Sequence, residues 1–519
     1  YENMNNIRVS TNGGLVTENW FDLNASRYTP SSTLQRMELL KTGYMGTLSL
    51  GWDNYLFLEL TGRQERSSTL KDQSFFYPSA NLSFLFTQAF HMPSWWNYGK
   101  LRLSYGIVGN APETYTANIV YEQGSDNGFT WNTIPSSWGN ADIRPEKKYE
   151  YEIGLESKFL NNRLGIDVSY YNNRVKDQIL STPQPSTSGV KNVLMNVGEV
   201  ANHGWDISIS ATPILTRDFR WDLTANYGVY KNKVVKLADG VPYLEILNSG
   251  GSGIKIQAVE GQPMGDIYAQ VPQVNENGEY LVSDKGLYLN QTELQKVGNI
   301  NPAGVGGLFN SFSYKNVFLD FSIDFRIGGD VINEMNQYAT AVGLTPESLK
   351  YRDTEHGGLS YYYPGDNSSS GIPVQVDPST GVGPNGEIIY HDGIILPGVV
   401  ASTGERNTRI IPAGYYYNTT YNWGTEAEQL TYRHSVFDNS YVKLRELTIG
   451  YQFPEKMISK LGLGRLSVSV FGRNLFYFYK ALKNYDAESS VGTSWANQAT
   501  VGSSTTATRS FGVSLRASF

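Results

Sequence analysis

Phe511-Gly512-Val513-Ser514-Leu515-Arg516-Ala517-Ser518-Phe519 closes the chain with an apolar residue at every odd position, a small or polar one at every even position, and an aromatic last.

 This period-2 pattern suits a strand with one face on lipid and the other on a watery lumen, with an aromatic at the interface. Phe511, Gly512, Val513, Leu515 and Phe519 are therefore expected to form the C-terminal signal of an outer-membrane barrel strand. The competing reading is the last strand of a soluble sandwich, and the rest of the chain bears on the choice.

Composition favours the membrane. The 519 residues include 36 Tyr, 10 Trp and 52 Gly, with 13% aromatic and only 18% charged residues, a balance suited to aromatic girdles and polar loops. No stretch approaches the roughly 18 to 20 apolar residues of a membrane helix, so a bilayer would have to be crossed by a closed sheet. Cysteine is absent, which removes disulfides, thiolate metal sites and cysteine nucleophiles. A net charge of −7 without a dense basic patch argues against a nucleic-acid partner. The chain opens at Tyr1 without a signal peptide or initiator Met, and is expected to be a processed product or a piece of something longer.

Strand-like segments recur in pairs joined by short turns at Asp53-Asn54, Leu160 to Asn162, Pro213 to Asp218 and Lys315-Asn316. Long connections alternate with them, at roughly 110 to 144, 172 to 197, 233 to 304, 328 to 436 and 480 to 504. Outer-membrane barrels show this asymmetry, with short turns inside and long loops outside. Between Val317 and Ile327, Val317, Leu319, Phe321, Ile323, Phe325 and Ile327 share one face, and Asp320, Ser322, Asp324 and Arg326 the other. A one-residue slip would put Arg326 into hydrocarbon at about 2–4 kcal/mol near the midplane, which fixes the register. The same alternation recurs from Leu101, Tyr149, Leu164, Trp205, Trp221, Leu447 and Leu466, and about 13 or 14 strands are expected. The soluble alternative is a stack of β-sandwiches. Tyr and Trp at the ends of the apolar faces favour the barrel.

Several stretches resemble the SusC/RagA family of TonB-dependent importers from Bacteroidetes outer membranes. They include Gly43-Tyr44-Met45-Gly46, Tyr55 to Leu60, Phe76-Tyr77-Pro78-Ser79, Leu101 to Asn110, Pro145-Glu146-Lys147, Glu152 to Glu156, Asn196-Val197-Gly198-Glu199, Val442 to Leu447 and Gly472-Arg473-Asn474-Leu475-Phe476. Each motif is weak alone, but their order and spacing cover nearly the whole chain. The resemblance implies an all-β, transmembrane antiparallel β-barrel, of which residues 1–519 are the C-terminal portion, about 14 of 22 strands with long extracellular loops. Asn6 to Trp20 would belong to the ninth strand and its loop. The resemblance further implies a plug-bearing N-terminal portion outside this chain, TonB–ExbB–ExbD acting through that portion, and a SusD-like surface lipoprotein over the mouth. Outer-membrane lipid would surround the barrel.

No catalytic constellation is present. His91, His203, His356, His391 and His434 are scattered, without the spacing of a metal pair, and no metal or cofactor is expected. Gly250-Gly251-Ser252-Gly253 has Ile254 where a nucleophile elbow needs glycine, and reads as a loop tip. Asp377 to Glu387 could wrap calcium, but an Asn/Gly turn explains it better. Substrate-binding candidates are instead distributed. Glu150, Glu152, Asp167, Asp320, Asp324 and Arg326 are expected on the lumen wall, with ion pairing as the plainer role. Trp131, Trp138, Tyr415, Tyr416 and Trp423 are loop aromatics able to stack on sugar rings or peptide side chains, or simply to cement the loops. The expected function is TonB-dependent import of an oligosaccharide or oligopeptide. The alternatives are an independent plugless 14-stranded passive porin or adhesin, and an outer-membrane enzyme, for which no compact site is visible.

Overall fold

The computed structural model describes residues 1–71, 74–126, 128–184, 186–249, 253–365, 371–422, 431–459, 462–489, 494–502 and 507–518. Trp423, Phe519 and the Gly250-Gly251-Ser252 run lie outside them. Fifteen long strands carry the fold: β1 (Glu2–Leu15), β2 (Ser26–Leu39), β3 (Lys41–Trp52), β4 (Leu56–Ser67), β5 (Ser74–Phe84), β6 (Trp96–Asn110), β7 (Glu146–Phe159), β8 (Leu164–Lys176), β9 (Glu199–Leu215), β10 (Phe219–Lys236), β11 (Gly304–Tyr314), β12 (Val317–Ile327), β13 (Tyr441–Gln452), β14 (Arg465–Lys480) and β15 (Ser510–Ser518). Strands β3 to β15 form one 13-stranded sheet in chain order, and β1 and β2 form a separate two-stranded sheet. The main sheet thus falls at the lower end of the expected count.

The turn chemistry explains the short connections. Asp53 and Asn54, then Leu160, Asn161 and Asn162, then Lys315 all have positive φ, and Asn and Asp tolerate that region better than most residues. One boundary differs from expectation: Pro213, Ile214 and Leu215 remain in β9, and the turn is only 216–218. The long connections fall at 111–145, 177–198, 237–303, 328–440 and 481–509, all on the other end of the strands.

The β1–β2 hairpin corrects the reading of residues 6 to 20 as part of a barrel strand. Its two strands pair from Glu2↔Leu39 to Leu15↔Ser26, not with the main sheet. Leu40 joins the hairpin to β3, where the Ser68 amide donates to the Leu40 carbonyl at 2.9 Å. The Tyr115 hydroxyl accepts from the Glu38 amide at 3.0 Å.

By contacts the chain divides into two compact units. Unit 1 comprises Tyr1–Phe159, Val168–Gly204 and Asn232–Pro242; unit 2 comprises Leu160–Asp167, Trp205–Lys231 and Tyr243–Phe519. In both, conventional hydrophobic cores lie mainly in the loops. Unit 1 packs Leu70, Phe75 and Ile143 against Ala117, Ile179 and Leu194. Unit 2 packs Ile254, Ile256 and Ile267 against Ile332, Tyr432, Val436 and Ala499, so the 237–303, 328–440 and 481–509 loops share one core. Apolar strand residues behave differently: Phe511, Val513 and Leu515 are exposed, as a lipid-facing row must be in the absence of lipid.

Candidate functional site

Cross-strand register builds a polar wall in unit 1. Ser49 stands opposite Glu59, Glu59 opposite Asn81, Asn81 opposite Ser104, and Ser104 opposite Glu152. The row lines an open trough of about 670 Å³ together with Arg102 and Ser83. Glu150 is one step further along β7, where its carboxylate accepts from Lys148 Nζ at 2.5 Å and Asn173 Nδ2 at 3.1 Å. Its plainer ion-pairing role is therefore visible. Trp138 packs edge-to-face on Tyr121, with centroids 6.1 Å apart, whereas Trp131 sits exposed on the strand Phe129–Thr133.

In unit 2, Asp320 and Asp324 share a face of β12. Asp167 is half-buried on β8. Arg326 is a structural clamp, donating to the carbonyls of Ile300 at 3.0 Å and Gly328 at 3.2 Å. Tyr416 packs edge-to-face on Tyr417 and Tyr421, which makes it loop cement, while Tyr415 on the same helix is exposed.

The main polar constellation of unit 2 is one the alternation pattern hides. Counting back from Tyr451, Ile449 and Leu447 would place Arg445 and Lys443 on the lipid face. A bulge prevents this: Ser322 pairs with Glu446 but Ile323 pairs with Leu444, leaving Arg445 as the extra residue. Beyond the bulge the alternation inverts, as bulges allow. Lys443 is only 2% exposed, and its Nζ meets Glu488 Oε2 at 2.5 Å. Arg445 binds Asp324 at 2.5 Å, Asn474 Oδ1 at 2.9 Å and the Glu488 carboxylate. Asn474 itself has φ 54° on the neighbouring strand. Burial would raise the Glu488 carboxyl, but the bonds from Arg445 and Lys443 outweigh it and hold the group at about 2. The 481–509 loop is thereby tied to the wall by charge-assisted bonds.

Three of the histidines and two loop carboxylates have local partners. His391 Nδ1 lies 2.8 Å from Ser360 Oγ, and His356 Nδ1 lies 2.7 Å from Asp353. His434 stacks on Tyr421 at 4.3 Å, and burial, helped by Arg433, lowers it to about 4. The Asp377 carboxylate accepts from the Ser379 amide, and Glu387 from the Asn385 and Gly365 amides. The latter contacts hold Glu387 at about 2, as expected of a carboxylate bound by backbone amides. Among the described residues, no group of three His, Cys, Asp or Glu could hold a metal ion.

Residues 5–275 match the family described as TonB dependent receptor-like, beta-barrel. The chain belongs to this family, and it is an outer-membrane protein. Among its relatives, TonB-dependent receptor P3 of Formosa agariphila is 24% identical over 494 residues, covering 86% of this chain and 42% of that one. TonB-dependent receptor SusC of Bacteroides thetaiotaomicron is 30% identical over 247 residues, covering 44% of this chain and 24% of SusC. The solved RagAB peptide transporter superposes with a TM-score of 0.64 at 18% identity, over 91% of this chain and 48% of that one. The chain therefore spans less than half the length of these relatives.

Proposed function

We propose that this chain is the C-terminal wall of a TonB-dependent importer that moves an oligosaccharide or oligopeptide across the outer membrane. The observation carrying this reading is the open 13-stranded sheet, in which β3 and β15 each have one hydrogen-bonded neighbour among the described residues. Open edges are untenable in hydrocarbon, so further strands must complete the barrel. An N-terminal portion of the same transporter supplies them, together with the plug on which TonB–ExbB–ExbD acts. A SusD-like lipoprotein closes the outer mouth. Substrate contacts come from the polar row Ser49–Glu59–Asn81–Ser104–Glu152 and from exposed loop aromatics such as Trp131 and Tyr415; the likeness to the RagAB peptide transporter supports the peptide side of this range.

The test is mass spectrometry of everything that co-purifies with the chain from native outer membrane in mild detergent. A plug-bearing polypeptide and a SusD-like lipoprotein are expected. Recovery of the chain alone, folded and heat-modifiable, would overturn the reading in favour of a small independent pore.

A further inference from the structure

The charged constellation behind the bulge of β13 has the geometry of a receptor for a carboxylate, and the chain itself fills it. Glu488 Oε2 accepts from Lys443 Nζ at 2.5 Å and from Arg445 Nη1 at 2.9 Å, while Oε1 accepts from Arg445 Nη2. Both oxygens are held, by a planar fork on one side and an ammonium on the other, an arrangement that suits any carboxylate. The cations belong to the wall. The register of β13 shifts against β12 between Ser322 and Ile323 and against β14 between Leu444 and Glu446, and such bulges re-aim side chains. Lys443 lies over the Tyr477 ring at 4.7 Å, with Lys480 over the same ring at 5.2 Å.

Charge decides what the site requires. The wall supplies the cations Lys443 and Arg445 but one carboxylate, Asp324, which Arg445 Nε takes at 2.5 Å. Asp324 stands opposite Lys443 in register, yet among the described residues the ion-pair partner of Lys443 is Glu488, brought from the 481–509 loop. Lys480 donates instead to the Tyr485 carbonyl at 2.6 Å, and Asp486 accepts from the Tyr477 hydroxyl at 2.9 Å. A buried ammonium without a counter-charge is costly, so the pair tolerates exchange of one carboxylate for another far better than vacancy. Glu488 is the part able to leave. Leu482 and Ala487 anchor its segment by burial, and Asn439 Nδ2 donates to the Ala487 carbonyl at 2.9 Å, whereas the Glu488 side chain is 33% exposed. Rotation of that one side chain uncovers the pair without moving the segment.

We propose that Lys443 and Arg445 form a subsite for a carboxylate of the transported molecule, held shut by Glu488 as the chain's own competitor. The subsite rests on the import reading given above and narrows the cargo to an acidic one, whose carboxylate belongs either to a peptide or to a uronic acid. A ligand without a carboxylate gains nothing at this position. For a ligand with one, the apparent affinity is lowered by the fraction of time that Glu488 occupies the site.

The test is a binding titration on the complete transporter in mild detergent, with trialanine and its C-terminal amide as one probe pair and trigalacturonate and its trimethyl ester as the other. Glu488→Gln removes the competing charge, and Glu488→Ala removes the competing side chain. Both are expected to tighten at least one carboxylate probe by about tenfold or more while leaving the amide and the ester unchanged. A gain for trialanine alone assigns a peptide carboxylate, a gain for trigalacturonate alone an acidic sugar, and a gain for both a site that reads the carboxylate only. Lys443→Met added to either variant is expected to abolish the gain. Unchanged or weaker binding of both carboxylates overturns the proposal, as does an equal gain for the amide and the ester, or a gain that survives Lys443→Met. None of these readouts needs energised uptake, so failure of the import reading, decided by co-purification, is told apart from failure of the subsite.

Discussion

Phe321 and Ile323 on β12 turn away from the polar face of their own strand, whereas Ile254, Ile256 and Ile267 in the 237–303 loop are completely buried. The same residue type thus serves two solvents. In the strands, cohesion comes from backbone ladders, and the apolar side chains are satisfied by lipid rather than by one another. In the loops, cohesion comes from removing side chains from water, at about 25 cal/mol per Å² of apolar area. The loops are consequently the soluble-protein part of a membrane wall, and the two regions should fail under different insults.

The sharpest break is a cavity. Ile267→Ala should destabilise the shared loop core by about 2–5 kcal/mol, read as accelerated amide exchange in 254–269 and 431–436 with the strands unchanged. Next comes polarity on the lipid face: Phe321→Arg should cost about 2–4 kcal/mol in refolding into vesicles, while Ser322→Arg beside it should cost far less. Equal costs would show that β12 does not separate two solvents.

A pH effect should follow in the loops alone. His434 is held neutral below its ordinary value of 6.5, down to about 4. The unfolded loop therefore takes up a proton first, and stability is lost as pH falls from 6.5 towards 4, by up to ~3 kcal/mol. Exchange rates around 417–421 should rise across that window, and His434→Gln should flatten the rise. The smallest effect concerns the tie between the regions. Glu488 is held at about 2 against an ordinary 4.5, so its contribution is present above 4.5 and is lost as pH falls towards 2. Because the group is partly exposed, Glu488→Gln should cost only about 1–2 kcal/mol at neutral pH, seen as faster exchange in 481–489.

The strands were legible because a bilayer demands strict alternation, and β12 meets that demand at every position from Leu319 to Ile327. The β1–β2 hairpin was not, because each of its faces mixes character: Met4 shares a face with Asn6 and Arg8, and Ile7 with Asn5. The loop cores were hidden for a different reason, since the isoleucines that meet there come from distant segments. The charged constellation was obscured by a single bulge at Arg445, where alternation on β13 points the wrong way. Glu150 and Asp324 were legible as wall residues, but their partners Asn173 and Arg445 depend on register. Asn310, only 4% exposed, is a similar case: it sits in the apolar row between Leu308 and Phe312, satisfied by Trp221 Nε1 at 3.1 Å.

The junction at Leu40 has a mechanical consequence. Because the hairpin enters β3 at its end, an outward pull on it would run along that strand, across a ladder that continues from Lys41↔Ser67 to Trp52↔Leu56. Antiparallel hydrogen bonds lie perpendicular to the strand, so such a load shears them together instead of peeling them one by one. Any tension applied to the hairpin would therefore reach the wall without unzipping it.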